Sequence, residues 1–352
     1  MERYRRVQQK AKTVFVGIDL HQVHWHISIR TEEVELFNGS IPASWLALRK
    51  LLERYRGATI QAAYEAGYFG FWLHDRLMEY GVECIVTPPS LLPIEYGNRV
   101  KTDRRDSRKL GQLLAKGLLK RVWVPSPQER YDRQVIRRRR QLVGDRVRTQ
   151  NRIKAELRFY GIRAAETTGT WTKAYVENLA RLKFDSPWMQ ESFRRLLEEY
   201  DFLTEQIARQ TKLLKALAET PLYAERVKIL RTYPGFGLIA AMELLLELQD
   251  VERFRKADQL AAYVGLTPSQ YSSADKIRMG RITAIGKNSL RATLVEVAWR
   301  VIAKDRMMRR KYEQLKGRSG SKRAIIAVAR ITLLRARRML LDMQPYVSRR
   351  AA

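Results

Sequence analysis

The chain has 352 residues, enough for two or three domains, and its 45% of hydrophobic residues argues against wholesale disorder. Its 67 Lys and Arg against 37 Asp and Glu give a net charge of +30, which argues against an ordinary small-molecule enzyme and predicts a polyanionic partner, nucleic acid ahead of an anionic membrane surface. Because the sequence has no long apolar run, no secretory signal and one cysteine, Cys84, we expect no membrane span, no disulfide, no cysteine-based zinc finger and a reducing cytoplasm.

A first region, about residues 11 to 125, has the pattern of three strands followed by alternating helices and strands. Strands are predicted at 13–19, 24–30, 34–37, 59–65 and 82–86, and helices at 43–55 and 71–80. Strands joined by short turns run antiparallel, whereas strands joined through helices run parallel. The order therefore predicts a mixed α/β sheet of the ribonuclease H kind.

Four carboxylates stand at the boundaries of these elements. Asp19 and Glu65 end the first and fourth strands, and Asp103 and Asp106 open a helix for which Thr102 is the predicted N-cap. Each acid alone is explained as a turn residue or as a complement to a helix dipole. Because α/β sheets place ligand sites at strand ends, we expect the four to meet, and four carboxylates stay ionised together only around a metal. The pattern predicts ligands for Mg²⁺, with Mn²⁺ as an alternative, in phosphoryl transfer.

Three histidines, His21, His24 and His26, follow Asp19 closely. The sequence offers no fourth ligand for a histidine metal site, so the preferred interpretation is that these side chains lie on the surface or face a nucleic acid.

Three blocks of this region resemble a known family. Val16–Asp19, Tyr64–Gly67 and Lys101–Asp106 are similar to the conserved blocks of the DEDD transposases of bacterial insertion sequences, the IS-one-ten family. The N-terminal domain of that family resembles RuvC, the Holliday-junction resolvase. The alanine that usually follows the last aspartate is Ser107 here.

A second region, residues 126 to 222, is predicted as a long basic helical arm. The motif Pro125-Ser126-Pro127 marks its boundary, and helical patterns cover 129–160 and 186–218, which together suggest an antiparallel or intermolecular coiled coil. Arg137 to Arg140 have few acids nearby in the sequence to balance them, so phosphate contacts are preferred over a solvated face with ion pairs. The segment 163–184 is poorly patterned and is predicted to be a loop.

The third region, residues 223 to 345, is predicted to be helical. Tyr233–Ala241 contains a P-G-x-G turn between helices, which resembles a helix-hairpin-helix element that brings backbone amides to a phosphate, although such turns also make ordinary helix connections. Helices are predicted at 238–248 and 257–264, and the last fifty residues form packed helix with a basic face.

Between these helices lies a loop that groups hydroxyls with cations, from Gly265 to Arg291. Composition alone favours a serine used for local hydrogen bonds. The block resembles the C-terminal transposase domain of the same family, which implies a serine nucleophile. By position this is Ser273, with Ser272 as the alternative, because the Ser-Gly of the family reads Ser272-Ser273-Ala274-Asp275 here.

The resemblance covers nearly the whole chain and implies a DNA transposase or recombinase. It implies that Asp19, Glu65, Asp103 and Asp106 hold Mg²⁺ against the scissile phosphate while Ser273 attacks it. It also implies donor and target DNA duplexes, a structured guide RNA, a dimer or tetramer, and a place at the bacterial nucleoid. Two alternatives stay open: a junction nuclease in which water attacks, and a non-catalytic RNA- or DNA-binding protein derived from a transposase.

The predicted nucleic-acid contacts are Lys101, Arg104, Arg105, Arg137, Arg138, Arg139, Arg140, Gly235, Gly237, Lys276, Arg278, Arg281, Lys287 and Arg291.

Overall fold

A computed structural model describes residues 12–93, 102–162, 171–270, 279–282 and 285–347, and it separates the chain into two compact units, Met1–Val124 and Pro125–Ala352. No helix in these described ranges is both long and apolar enough to cross a membrane. The elements of the first unit are β1 (Thr13–Leu20), β2 (His24–Arg30), β3 (Glu35–Pro42), α1 (Trp45–Leu52), β4 (Thr59–Glu65), α2 (Trp72–Glu79), β5 (Glu83–Thr87) and α3 (Asp103–Ala115).

The first unit is built on one five-stranded sheet in the order β3-β2-β1-β4-β5. The β1–β2 and β2–β3 pairs are antiparallel, and the β1–β4 and β4–β5 pairs are parallel. This confirms the predicted mixed sheet. Strand β3 extends to Pro42, beyond the predicted end at residue 37. The extra residues include the polar Asn38 and Ser40, which have no strand pattern in the sequence but pair with β2 at the edge of the sheet, as far as His24 and Pro42.

The two faces of the sheet are covered by different helices. Val16 and Ile18 of β1 and Tyr64 of β4 share a core with α1 and α2, whereas Phe15 of β1 and Ala63 of β4 pack with α3. Since side chains alternate along a strand, the odd-numbered residues at the ends of β1 and β4 face the side that carries α3.

Helix α3 lies unusually close to β1 at Gly17. A Cβ atom added at Gly17 would lie well under 3.0 Å from the backbone oxygen of Ser107 and the backbone nitrogen of Gly111. Ser107 is fully buried at this contact, so the small residue that replaces the family's alanine is accommodated. The absence of a side chain at residue 17 therefore sets how near α3 comes to the sheet.

A bidentate ion pair ties the same helix to β3. The Arg108 guanidinium donates to Glu35 Oε1 at 2.8 Å and to Oε2 at 2.7 Å, and the hydroxyl of Ser28 also donates to Glu35. One turn earlier, Arg104 Nε donates to Asn38 Oδ1 at 3.0 Å. Hydrogen bonds from Arg108 lower the pKa of Glu35 against the opposing effect of burial.

The Glu35–Arg108 pair predicts a pH-dependent contribution to stability. Because the folded-state pKa of Glu35 lies below its ordinary value, this contribution is complete above the unfolded-state pKa and is lost as pH falls through the folded-state pKa. We expect Glu35→Gln to melt below the wild type between pH 6 and 8, and the two melting curves to converge below about pH 4, near and below the ordinary carboxyl pKa. A gap that stays constant through the acid range would contradict this assignment.

The second unit contains a pair of long helices. Its elements are α4 (Pro127–Phe159), α5 (Lys173–Ala180), α6 (Pro187–Ala218), α7 (Ala224–Arg231), α8 (Leu238–Leu248), α9 (Ala257–Val264), β6 (Pro268–Gln270), β7 (Met279–Ile282), α10 (Asn288–Lys304), α11 (Arg306–Ser319) and α12 (Ser321–Asp342).

Helices α4 and α6 run antiparallel within the chain. Thr149 of α4 donates to Glu199 of α6, while Arg139, earlier in α4, donates to Thr211, later in α6. Both helices begin at a serine N-cap followed by proline, and α4 also has a capping box with Glu129. The predicted helices are therefore present, whereas coiled-coil packing stays a prediction.

The predicted loop at 163–184 is wrong in part, because it contains helix α5. Only Tyr175 and Leu179 of that helix are buried, so its apolar signal is one pair of residues spaced by a single turn. Thr172 caps its start by accepting from the backbone of Tyr175. Residues 163–170 lie outside the described part of the chain.

Helix α8 is the centre of the second unit. Every residue from Ala241 to Leu248 is buried, and the core around α8 includes Ile136 of α4 and Leu214 and Ala218 of α6. The base of the arm and the C-terminal helices thus share one core, although two separate domains, 126–222 and 223–345, are predicted from the sequence.

Candidate metal site and arginine cleft

The parallel register of β1 and β4 places two of the predicted acids next to each other. Ile18 pairs with Tyr64 in parallel, so Asp19 and Glu65 are the next residues at neighbouring strand ends. Both lie at odd-numbered positions, on the side of the sheet that α3 covers. Asp103 and Asp106 occupy the first turn of α3, whose N-cap is Thr102, as predicted, although the described atoms give Thr102 no side-chain capping hydrogen bond.

A histidine completes the cluster at this edge. His21 Nε2 lies 3.2 Å from Asp19 Oδ2 and 3.4 Å from Asp103 Oδ1. One ligand atom from each of the three residues lies within 4.8 Å of the other two. From the sequence, His21 was grouped with His24 and His26 and was not distinguished from them, because its partner Asp103 is distant along the chain. The signal that could have distinguished it is its position two residues after a strand-end acid.

The electrostatics of the cluster suit a cation. Burial raises the pKa of Asp19, the nearby His21 opposes this rise, and the negative charges of Asp103 and Asp106 add to it. Carboxylate and imidazole groups are donors for divalent metals, and a divalent ion would offset the repulsion among the acids. The donor set therefore fits the metal that the sequence predicts.

A shallow basin of about 560 Å³ adjoins this cluster. It is open to solvent at His21, His24 and Tyr68, all of which are exposed. Its lining residues are His21, Gln22, Val23, His24, His26, Ser40, Tyr68 and Asp103.

In the second unit, the premise that the arginine run lacks acidic partners is wrong. Arg137 donates to Glu247 Oε1 at 2.8 Å and to Oε2 at 3.0 Å, and Arg140 pairs with Glu243. Both acids belong to α8, more than one hundred residues later in the chain. Arg139 donates instead to Thr211, and of the four arginines Arg138 is the exposed one.

Glu243 and Glu247 are both buried, but their pKa values are shifted in opposite directions. Burial raises the pKa of Glu243, although Thr293 and Arg140 oppose the rise. Burial acts in the same direction on Glu247, but hydrogen bonds and charge from Arg137, followed by the charge of Lys287, hold its pKa below the ordinary value. Lys287 Nζ lies 3.7 Å from Glu247 Oε2.

These pairs form the floor of an open cleft of about 760 Å³ beside the start of α10. Arg138 and Arg148 are exposed on its wall, and the first residues of α10 present a helix N-terminus to it. Helix N-termini and arginines both attract phosphate. The lining residues include Arg137, Arg138, Arg140, Gln141, Gly144, Arg148, Gly286, Lys287, Asn288 and Ser289.

Several predicted nucleic-acid contacts have internal roles in the described structure. Gly235, with φ of +96°, packs against α10, where an added Cβ would lie 2.8 Å from the Val297 oxygen. Arg291 donates to the backbone oxygen of Gly265 at 3.1 Å. Gly237, in contrast, is the N-cap of α8, and a Cβ added there would meet nothing within 4 Å, so no packing contact competes with its predicted role.

The remaining predicted residues divide into exposed ones and ones outside the described ranges. Arg104, Arg105 and Arg281 are exposed. The residues outside the described ranges are Lys101, Ser272, Ser273, Lys276 and Arg278.

Comparison with known proteins accords with this arrangement. A family model for the IS110 DEDD domain, described as a transposase, matches residues 16–162, and one described as the transposase IS116/IS110/IS902 family matches residues 227–313. The first match contains all four acids, and the second contains the serine loop.

Curated relatives agree over most of the chain. A putative transposase, y4qE, of Sinorhizobium fredii is 32% identical over 338 residues, which cover 94% of this chain and 82% of the relative. The transposase for insertion sequence element IS1533 of Leptospira borgpetersenii is 28% identical over 250 residues, covering 68% of this chain and 70% of the relative. With the mixed sheet and its acid cluster, these matches show that the chain belongs to the IS110 (IS-one-ten) family of DEDD insertion-sequence transposases.

Proposed function

We propose that the protein is a metal-dependent DNA transposase that cleaves and rejoins phosphodiesters through a serine nucleophile. The observation that carries this proposal is the meeting of Asp19 with the first turn of α3, where Asp103 lies 3.4 Å from the histidine that also contacts Asp19. Acids from separate parts of a sheet-and-helix scaffold converge at one open edge, which is the arrangement expected for phosphoryl transfer.

In the proposed reaction, Asp19, Glu65, Asp103 and Asp106 hold Mg²⁺ or Mn²⁺ at the scissile phosphate. The metal, when bound, supplies charge neutralisation at the phosphate. Ser273 Oγ attacks phosphorus, so that an Oγ–P bond forms while the bond from phosphorus to the leaving deoxyribose oxygen breaks. The serine hydroxyl loses its proton and the leaving oxygen gains one. The phosphoserine link retains the bond energy for rejoining.

The arginine cleft supports the same proposal. We propose that the cleft binds the DNA or RNA backbone near the serine, because Gly286 and Lys287 in its wall belong to the same loop, Gly265 to Arg291, as Ser273. In this proposal Arg138 and Arg148 contact phosphates, whereas Arg137 and Arg140 keep the cleft in shape through Glu247 and Glu243. A structured guide RNA and a dimer or tetramer that joins two duplexes at the nucleoid complete the proposal.

Covalent trapping tests the reaction. Protein, Mg²⁺, the RNA of the element and end-labelled donor DNA are incubated and resolved on a denaturing gel. We expect a slowly migrating protein–DNA band from the wild type and from Ser272→Ala, and none from Ser273→Ala or Asp103→Ala, because both nucleophile and metal ligand are required.

Other outcomes separate the alternatives. Cleaved DNA with no covalent band, unaffected by Ser273→Ala, would assign the attack to water and favour a junction nuclease. DNA and RNA binding with no cleavage, unchanged by Asp103→Ala, would favour a non-catalytic binding protein. Loss of the band in Ser272→Ala alone would move the nucleophile to that residue.

A further inference from the structure

We propose that His21 is a nitrogen ligand of the metal held by the acid cluster, and that it shifts the preference of the site from Mg²⁺ towards Mn²⁺. This inference deepens the proposed function and rests on it, because it requires that Asp19 and Asp103 bind a metal. It adds a fifth residue, and a different type of donor atom, to the four carboxylates.

The distances match those between neighbouring ligands of one ion. With metal–ligand bonds of about 2.1 Å, adjacent ligands of an octahedron lie about 3.0 Å apart, and those of a tetrahedron with similar bonds lie about 3.4 Å apart. His21 Nε2 lies 3.2 Å from one carboxylate oxygen and 3.4 Å from the other. The third separation, between the two carboxylates, is also within 4.8 Å.

A hydrogen-bonded ion pair explains the same geometry less well. The contact with Asp19 Oδ2, at 3.2 Å, is at the long end of the range for a hydrogen bond, and the contact with Asp103 Oδ1, at 3.4 Å, is beyond it. Nε2 also carries at most one proton, yet it lies almost evenly between two oxygens from different elements, β1 and α3. One proton can form a good hydrogen bond with one of these oxygens only, whereas a metal ion can be coordinated by the nitrogen and both oxygens together.

The donor type decides the selectivity. Mg²⁺ is a hard ion that prefers oxygen ligands and dehydrates reluctantly, so an imidazole nitrogen is a poorer ligand for Mg²⁺ than for Mn²⁺, a first-row transition metal that also accepts oxygen ligands. A site of four carboxylates alone would accept Mg²⁺ and Mn²⁺ with little distinction. Replacing His21 by asparagine puts an amide in place of the imidazole, so the advantage of Mn²⁺ over Mg²⁺ should decrease.

The chain supplies a matched control. His24 lines the same basin and is exposed like His21, but among the described residues it does not belong to the three-residue ligand cluster. His24→Asn therefore makes the same chemical change a few residues away.

The test uses the full-length protein with Mn²⁺ and without nucleic acid. Electron spin echo spectra of bound Mn²⁺ report a directly coordinated imidazole nitrogen, and competition with Mg²⁺ gives the ratio of the two affinities. We expect a nitrogen signal in the wild type and in His24→Asn. In His21→Asn we expect no nitrogen signal, and a fall in Mn²⁺ affinity at least as large as the about tenfold loss that follows removal of an outer-shell partner, with a smaller fall for Mg²⁺. Melting temperatures check that each variant is folded.

Two results would overturn the inference in distinguishable ways. If Asp103→Asn abolishes Mn²⁺ binding but the wild type lacks the nitrogen signal, or His21→Asn retains it, the metal site stands and His21 is only a hydrogen-bonding neighbour. If Asp103→Asn leaves Mn²⁺ binding unchanged, the metal site itself is wrong, and both this inference and the metal dependence of the proposed function fail.

Discussion

Gly17→Ala is expected to push α3 away from the sheet and to abolish metal binding at the acid cluster. The added methyl would meet the backbone of Ser107 and Gly111 at well under 3.0 Å, and backbone atoms have no rotamer by which to move aside. Overpacking a core costs about 1–3 kcal/mol and occasionally more, and a backbone clash belongs at the upper end. Urea denaturation and Mn²⁺ titration of the purified variant measure both effects.

Gly111→Ala is the matched control, because it adds the same methyl to the other side of the same contact. There the new Cβ would lie 3.5 Å from the Gly17 nitrogen and 3.5 Å from Ser28 Oγ, which is ordinary van der Waals contact. Alanine also favours a helix interior over glycine by about 1 kcal/mol. We expect wild-type or higher stability with metal binding retained. Equal behaviour of the two variants would show that the close approach of α3 does not position Asp103.

Glu247→Gln is expected to destabilise the second unit more than any exposed charge substitution. Only 4% of the Glu247 side chain is exposed, and it neutralises Arg137 at 2.8 Å and Lys287 at 3.7 Å, with Arg133 at 3.9 Å. Removing one partner of a buried pair costs about 3–5 kcal/mol. Since Arg137 is 39% exposed and can be rehydrated by solvent, we expect the lower end, about 3 kcal/mol.

The control for this substitution is Glu191→Gln. Glu191 also pairs with two arginines, Arg194 and Arg195, each at 2.8 Å, but at the surface of α6. Exposed pairs contribute little, so we expect an unfolding midpoint within error of the wild type. Chemical denaturation monitored by circular dichroism distinguishes the two cases. Similar changes in the unfolding midpoint for both variants would mean that solvent reaches Glu247 and that its ion pairs are not buried.

The sequence was sufficient for elements whose pattern is local. The short strand pattern that ends at Glu65 and the strongly apolar stretch Leu238–Leu248 predicted β4 and α8 to the residue. The mixture of antiparallel and parallel strands followed from the lengths of the connections, and the acids were found because each stands at the end of a strand or the start of a helix.

Features that depend on distant partners were not predictable in this way. The acids that pair with Arg137 and Arg140 lie in α8, more than one hundred residues later, so the residues near the arginines in the sequence do not reveal them. His21 was grouped with His24 and His26 by proximity in sequence, whereas its contact with Asp103 exists only because Gly17 admits α3 to the sheet. Local periodicity does not report such contacts.

The order of the acids along the chain has a consequence for synthesis. Asp19 and Glu65 come together when β4 pairs in parallel with β1, but Asp103 arrives only when α3 packs on Gly17. A nascent chain that ends before α3, or a fragment cut between β5 and α3, therefore carries two acids and no assembled site. In the proposed function, metal binding at this edge consequently begins only once α3 has been synthesised and has packed on the sheet.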